Sequence, residues 1–362
     1  MNPGTFRFLL ISVVVIGFII LVATLGRRGN SDTLENTDTT TVSYDPTNEG
    51  IKFPTLLPDG QTLRYFQSGH EQKDPNLFWE ETSDGKRQQL LTEPTLGLIR
   101  LEWSPDRSQA IAAINNIPDW AEVSPSFHTN ELPQDTTVWY RINFTDQTIQ
   151  RYDPAIRSIR WSPDGSQIVY IWQDQVLAIA KPDGSDWHSL WDLRNSSTTS
   201  GPAYFAEPTW AKEGTIMVQA YPDGGREQAM FWQIDSASGI QTLVLKDHDF
   251  FLVSPTGEQG VAVRVVANSA QLELFGQTKQ TISISGRLDP TSFTWSPDGT
   301  RLYYLVTEET KNRLEQLVLQ TSQVVTVTNQ PPIWPINALV PKPDNKSLLL
   351  FSDEQRAEIQ FP

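Results

Sequence analysis

The chain has no cysteine among its 362 residues. That absence excludes disulfides, thiol nucleophiles and cysteine-ligated zinc or iron–sulfur sites. Histidine is nearly as scarce. His70, His128, His188 and His248 are the four present, and their scatter leads us to expect no cofactor and no metal site. Basic residues are few as well: 28 Lys and Arg stand against 43 Asp and Glu, a formal net charge of -15. So acidic a chain repels phosphate backbones, which removes nucleic acid from the expected partners. No Gly-x-Ser-x-Gly occurs, so the turn that presents a hydrolase serine is missing too. Long apolar runs are absent, with one exception near the start.

That exception is residues 8–26, which are 19 consecutive uncharged positions, mostly Leu, Ile, Val and Phe. As a helix they span roughly 28 Å, close to the thickness of a hydrocarbon core. The run is longer than the apolar part of a cleaved signal peptide and ends in no good small-x-small site, so it reads as an uncleaved signal anchor. The next stretch, 29–50, is rich in Thr, Asn, Asp and Ser and has no Lys or Arg. Such a composition suits a solvated stalk outside the cytoplasm. The expected organisation is a short flank (1–7), a transmembrane helix (8–26), a stalk (27–38) and one folded domain (39–362). The protein is then a single-pass membrane protein with its domain in the periplasm or at the cell surface.

The folded part is built on a repeat. Trp103-Ser104-Pro105-Asp106-Arg107, Trp161-Ser162-Pro163-Asp164-Gly165 and Trp295-Ser296-Pro297-Asp298-Gly299 each precede an apolar run. Degraded copies begin at Leu56, Trp210, Val253 and Pro341. Successive copies are separated by 47, 58, 49, 43, 42 and 46 residues. That period is the size of one four-stranded propeller blade. In the motif, Trp offers a large apolar surface to the neighbouring blade, Pro sets φ for a turn, Asp bonds nearby backbone N–H groups and Gly accepts φ > 0. The motif therefore reads as the hairpin between a blade's first and second strands, and its residues, Trp210 included, as scaffold. The expected fold is all-β, a seven-bladed β-propeller, with six blades as the alternative. The last repeat holds only three strands, at 336–340, 347–351 and 357–361, and residues 39–44 can supply the fourth and close the ring.

These motifs resemble the WD40-like propellers of the TolB type, whose repeats carry Trp-Ser-Pro-Asp-Gly, over roughly residues 39–362. The resemblance implies an exported propeller that serves as a protein-binding platform. Similar propellers precede the catalytic domain of prolyl-oligopeptidase-type enzymes, but this sequence has neither the residues for that domain nor its nucleophile motif.

Loop lengths suggest which face binds. The turns between first and second and between third and fourth strands are short. The long segments, 67–76, 116–136 and 194–207, fall on the opposite face, which becomes the candidate surface for a protein or peptide partner. Within 116–136, Trp120, Phe127 and His128 are the candidate contact residues. Asp247-His248-Asp249 places its side chains on alternate faces and is not expected to bind a metal. Glu80-Glu81 and Glu308-Glu309 read as solvated charge. The expected function is non-catalytic binding of a protein, a peptide or an envelope polymer. The alternative is a hydrolase or lyase with its site in the central funnel, which would show a metal or clustered acids of perturbed pKa there.

Overall fold

The computed structural model describes residues 42–45, 50–68, 77–91, 97–115, 137–195, 204–211, 214–221, 230–246, 248–275, 280–288, 292–308 and 312–361. The segment 8–26, read as a membrane anchor, and the stalk 27–38 lie outside them. Among the described residues, no helix is long and apolar enough to cross a membrane.

The described chain forms seven antiparallel sheets in a ring, so the seven-bladed architecture stands. The first strand, β1 (Val42–Asp45), belongs to the last blade. Blade one is β2 (Ile51–Leu56), β3 (Leu63–Gln67), β4 (Leu77–Glu81) and β5 (Arg87–Gln89). Blade two is β6 (Leu98–Trp103), β7 (Gln109–Asn115), β8 (Thr137–Asn143) and β9 (Thr148–Arg151). Blade three is β10 (Ile156–Trp161), β11 (Ile168–Trp172), β12 (Val176–Ala180) and β13 (His188–Asp192). Blade four is β14 (Tyr204–Trp210), β15 (Thr215–Tyr221), β16 (Met230–Asp235) and β17 (Gln241–Lys246). Blade five is β18 (Phe250–Val253), β19 (Gly260–Val266), β20 (Ser269–Phe275) and β21 (Gln280–Ser285). Blade six is irregular. Its inner edge is split into β22 (Arg287–Leu288) and β23 (Thr294–Trp295), both paired with β24 (Arg301–Thr307), before β25 (Asn312–Val318) and β26 (Gln323–Thr328). Blade seven is β27 (Ala338–Pro341), β28 (Ser347–Phe351), β29 (Arg356–Gln360) and β1.

The ring closes as the sequence suggests, with β1 antiparallel to β29 in the register Val42↔Ile359 to Asp45↔Arg356. The described strand is Val42–Asp45, overlapping the expected 39–44; 39–41 lie outside the described residues. A second device reinforces the closure. Arg356 of blade seven meets Glu81 of blade one at 3.1 Å, and Arg87 holds the same carboxylate at 2.9 Å. With no disulfide available, strand pairing and this ion pair hold the first blade to the last.

Hydrophobic packing repeats at each junction. One cluster joins blades two and three through Ile111, Trp139, Ile159, Trp161 and Tyr170, and another joins three and four through Ile171, Trp191, Phe205, Trp210 and Ile216. Ile51, Tyr65, Val340 and Phe351 do the same across the closure. The motif Trp thus packs between blades, as its bulk predicts. In two blades it also donates a hydrogen bond backwards. The Trp103 indole N–H reaches the Phe53 carbonyl (2.9 Å) and that of Trp161 reaches the Glu102 carbonyl (3.3 Å). The indoles of Trp210 and Trp295 have no such partner among the described residues.

Candidate functional site

The motif turns surround the mouth of the central funnel. In blade three the buried Ser162 hydroxyl donates to Asp164 (2.6 Å) and accepts from the Gln167 N–H (2.9 Å), while Asp164 also takes the Ser166 N–H (3.0 Å). Blades two and six repeat this geometry with Ser104–Asp106 and Ser296–Asp298, each at 2.6 Å. Hydrogen bonds from Ser162 and Ser166 hold the Asp164 carboxyl below its ordinary range, against the effect of burial. Gly165 has φ +72° and a Cβ there would lie 3.3 Å from Pro105 of the preceding blade, so the turn needs glycine for conformation and for space. Blade two has Arg107 instead, at φ 63°, and its guanidinium bonds Thr55 of blade one (3.0 Å) and its own turn. The motif serines and aspartates named above thus bond within their own turns, and the motif prolines and tryptophans face the funnel and the blade junctions. The sequence reading missed the serine, which is the buried hub of each turn.

Inside this rim lies a cavity of about 620 Å³, lined by Pro58, Pro105, Pro163, Pro255, Pro297 and Pro343, among others, and by Glu102. Around Glu102 is a charge cluster assembled from three inner strands. The Glu102 carboxylate takes the Trp161 N–H (3.0 Å) and sits 3.2 Å from Arg160. Arg160 also pairs with Glu207 (2.5 Å), and Arg100 forks onto the same Glu207, with one contact at 2.9 Å. Blades two, three and four are thus linked beside the funnel by two carboxyl groups and two guanidinium groups. Burial pushes the Glu102 carboxyl up to about 8, against the lowering effects of the Trp161 N–H and of Arg100. About a quarter of its side chain still touches solvent. A charged residue directly before the motif Trp, as in Glu102-Trp103 and Arg160-Trp161, was the sequence signal for this cluster.

A second cavity, about 660 Å³, lies between blades two and three. Its lining includes Tyr152, Tyr170, Trp172 and Trp187, with Arg151, Asp153, Asp183 and Arg194 among the charged residues. Trp187 is 65% exposed, the most open of the described tryptophans. The Arg194 guanidinium stands 5.5 Å from the Trp172 ring centroid and is held by Asp192 at 2.9 and 2.8 Å. Across the junction the Tyr152 hydroxyl donates to the Pro182 carbonyl (2.6 Å) and Gln150 donates to that of Asp183 (3.0 Å).

Trp120, Phe127 and His128, the contact residues named from sequence, lie outside the described residues, as do most of the long loops. Asp247 does too. His248 faces Glu273 of β20 at 3.3 Å, while Asp249 accepts the Val265 N–H (2.5 Å), so the two point to different partners. Among the described residues, no group of three His, Cys, Asp or Glu could hold a metal ion. The reading of the paired acids as solvated is corrected. Glu81 is buried in the closure, Glu80 pairs with Arg64 at 2.7 Å, and Glu308 pairs with Arg313; Glu309 lies outside the described residues. Two acids adjacent on a strand point to opposite sides, and each met its own arginine.

No family model and no curated sequence matches the chain. Solved structures do match. An oligogalacturonate lyase in complex with manganese superposes with a TM-score of 0.63 at 11% identity, covering 91% of this chain and 96% of its own. An oligogalacturonate lyase from Vibrio parahaemolyticus gives 0.61 at 10% identity, covering 92% of this chain and 97% of its own. The β-propeller domain of Cps50 (Swd1) from Myceliophteria thermophila gives 0.57 at 7%, covering 89% of this chain and all of its own. At these identities the likeness shows the fold, a seven-bladed β-propeller, and no activity.

The likeness does correct one expectation. Absence of catalysis was inferred from the fold and from four scattered histidines, yet two of these neighbours with the same architecture are lyases. The propeller gives no ground for excluding an enzyme. In the charge cluster beside the funnel, Glu102 has a carboxyl pushed up by burial, one acid where the catalytic alternative called for a metal or a cluster of such acids.

Proposed function

We propose that the chain is a TolB-type propeller, anchored by residues 8–26 and displayed outside the cytoplasm, that binds an extended partner: a protein, a peptide or an envelope polymer. The observation that carries this reading is the groove between blades two and three. It combines a tryptophan left largely exposed, aromatic walls and charged groups at its borders. Exposed large aromatics beside a preformed cavity are a usual basis for recognition. The anchor rests on the uncharged run at 8–26. Immobilised full-length protein should retain a partner from its own cell envelope, and the Trp187→Ala variant should lose it. An unchanged set of retained molecules would overturn the reading.

A second reading has its own observation. Glu102, whose carboxyl burial pushes up to about 8, lines the funnel cavity beside Arg160, where a general acid or base could act. The lyases among the structural neighbours make oligogalacturonate the first substrate to offer. Formation of an unsaturated product by the full chain, lost in Glu102→Gln, would favour this reading, and no product with or without added manganese would remove it.

A further inference from the structure

We propose that the groove between blades two and three is a binding site for an uncharged oligosaccharide chain. This deepens the binding reading above and rests on it. The groove has an apolar floor and polar borders. Tyr170, Trp172, Val176 and Ala178 come from β11 and β12, which are interior strands of blade three. Their backbone groups are already paired, Ile168↔Ala180 through Trp172↔Val176, so the floor presents side chains and no free ladder. Hydrogen-bonding groups stand in the same lining: Arg151, Asp153 and Asp183, with Gln150, Ser189 and Arg194.

That division of surface selects among polymers. A peptide carries its N–H and C=O groups along its axis, and laying it on a floor without backbone partners would leave them desolvated and unpaired. A sugar ring divides its surface differently, with C–H groups on its faces and hydroxyls at its edge. Its face can lie on the exposed Trp187 ring while its edge meets the borders. Charge narrows the choice further. Three carboxylates, on Asp153, Asp183 and Asp192, outnumber the guanidinium groups of Arg151 and Arg194. Arg194 is already occupied by Asp192, and Asp183 is held ionised by the hydrogen bonds from Ser185. A polyanion is disfavoured there, in a chain whose net charge is already -15. The volume, about 660 Å³, is in the range of small-ligand sites.

The test is calorimetric titration of the full chain, kept in a sugar-free detergent, with three uncharged hexaoses (a β-1,4-glucan, a mannan and a chitin oligomer). Hexagalacturonate and a proline-rich peptide serve as comparisons. At least one uncharged hexaose should bind, about tenfold more weakly to Trp187→Ala, whose unfolding temperature should match the parent because the ring is exposed. Hexagalacturonate should show no Trp187-dependent binding. The proposal is overturned if no uncharged hexaose binds, or if binding ignores Trp187→Ala. Should the peptide instead bind in a Trp187-dependent way, the groove remains the partner site and only the sugar assignment fails. If Trp187→Ala alters no interaction, including retention of the envelope partner, both readings fail together.

Discussion

The rim of the funnel and the acid beneath it treat one chemical group in opposite ways. At the rim, Asp164 receives two hydroxyl donors and a backbone N–H, and its carboxyl is held low. Asp59, Asp106 and Asp298 in equivalent turns are lowered too. Below them, Glu102 has one N–H and shares Arg160 with Glu207, and burial drives it up to about 8. The rim acids recur with the repeat and spend their hydrogen-bonding capacity on the turn. Glu102 belongs to no repeat, and burial pushes its carboxyl up where the turn hydrogen bonds pull the rim acids down. Two opposite treatments of a carboxyl group thus lie within a short stretch of the inner strands.

The comparison can be broken first at the residue that joins its two halves. Trp161 packs between blades two and three and its backbone N–H holds Glu102. Trp161→Ala should cost about 3–5 kcal/mol by chemical denaturation, through lost packing and a cavity. A loss below 1 kcal/mol would mean the junction collapses without it. Asp164→Ala should cost about 1–2 kcal/mol, because Ser162 and the Ser166 N–H lose their acceptor. Asp164 has a depressed folded pKa, so its contribution is present above the unfolded value near 4 and is lost as pH falls through the folded one. Parent and variant should therefore converge in stability in strong acid, and a constant gap would contradict the assignment.

At Glu102 the sign reverses. A carboxyl whose folded pKa is raised binds its proton more tightly when folded, so its presence lowers stability progressively between the unfolded value, about 4.3, and about 8. Glu102→Gln should remove that slope and unfold at a higher temperature than the parent in mildly alkaline buffer, with little difference near pH 4. A variant less stable at high pH would show that the ion pair with Arg160 outweighs burial. The smallest effect belongs to Trp187→Ala, within about 0.5 kcal/mol of the parent.

The architecture was legible because the propeller repeats itself. Three intact Trp-Ser-Pro-Asp-Gly-like turns at a blade-sized spacing gave the ring, and a three-stranded last repeat pointed to closure from the other end. The groove and the charge cluster were less visible because they are not periodic. Glu102, Arg160 and Glu207 are distant in sequence and meet only when three inner strands converge. Glu81 looked like surface charge until Arg356, from the other end of the chain, arrived beside it. Blade six departs from the pattern: its inner edge is described as two short strands, Arg287–Leu288 and Thr294–Trp295, which the regular motif at Trp295 gave no reason to expect.

The most direct test of the division between rim and funnel is the titration of Glu102 itself, followed by carbon-13 NMR of side-chain carboxyls and assigned with Glu102→Gln. A midpoint near 8, well separated from that of Asp164, is the predicted result. A midpoint in the ordinary carboxylate range would show that Arg160 keeps Glu102 ionised, and would contradict the account.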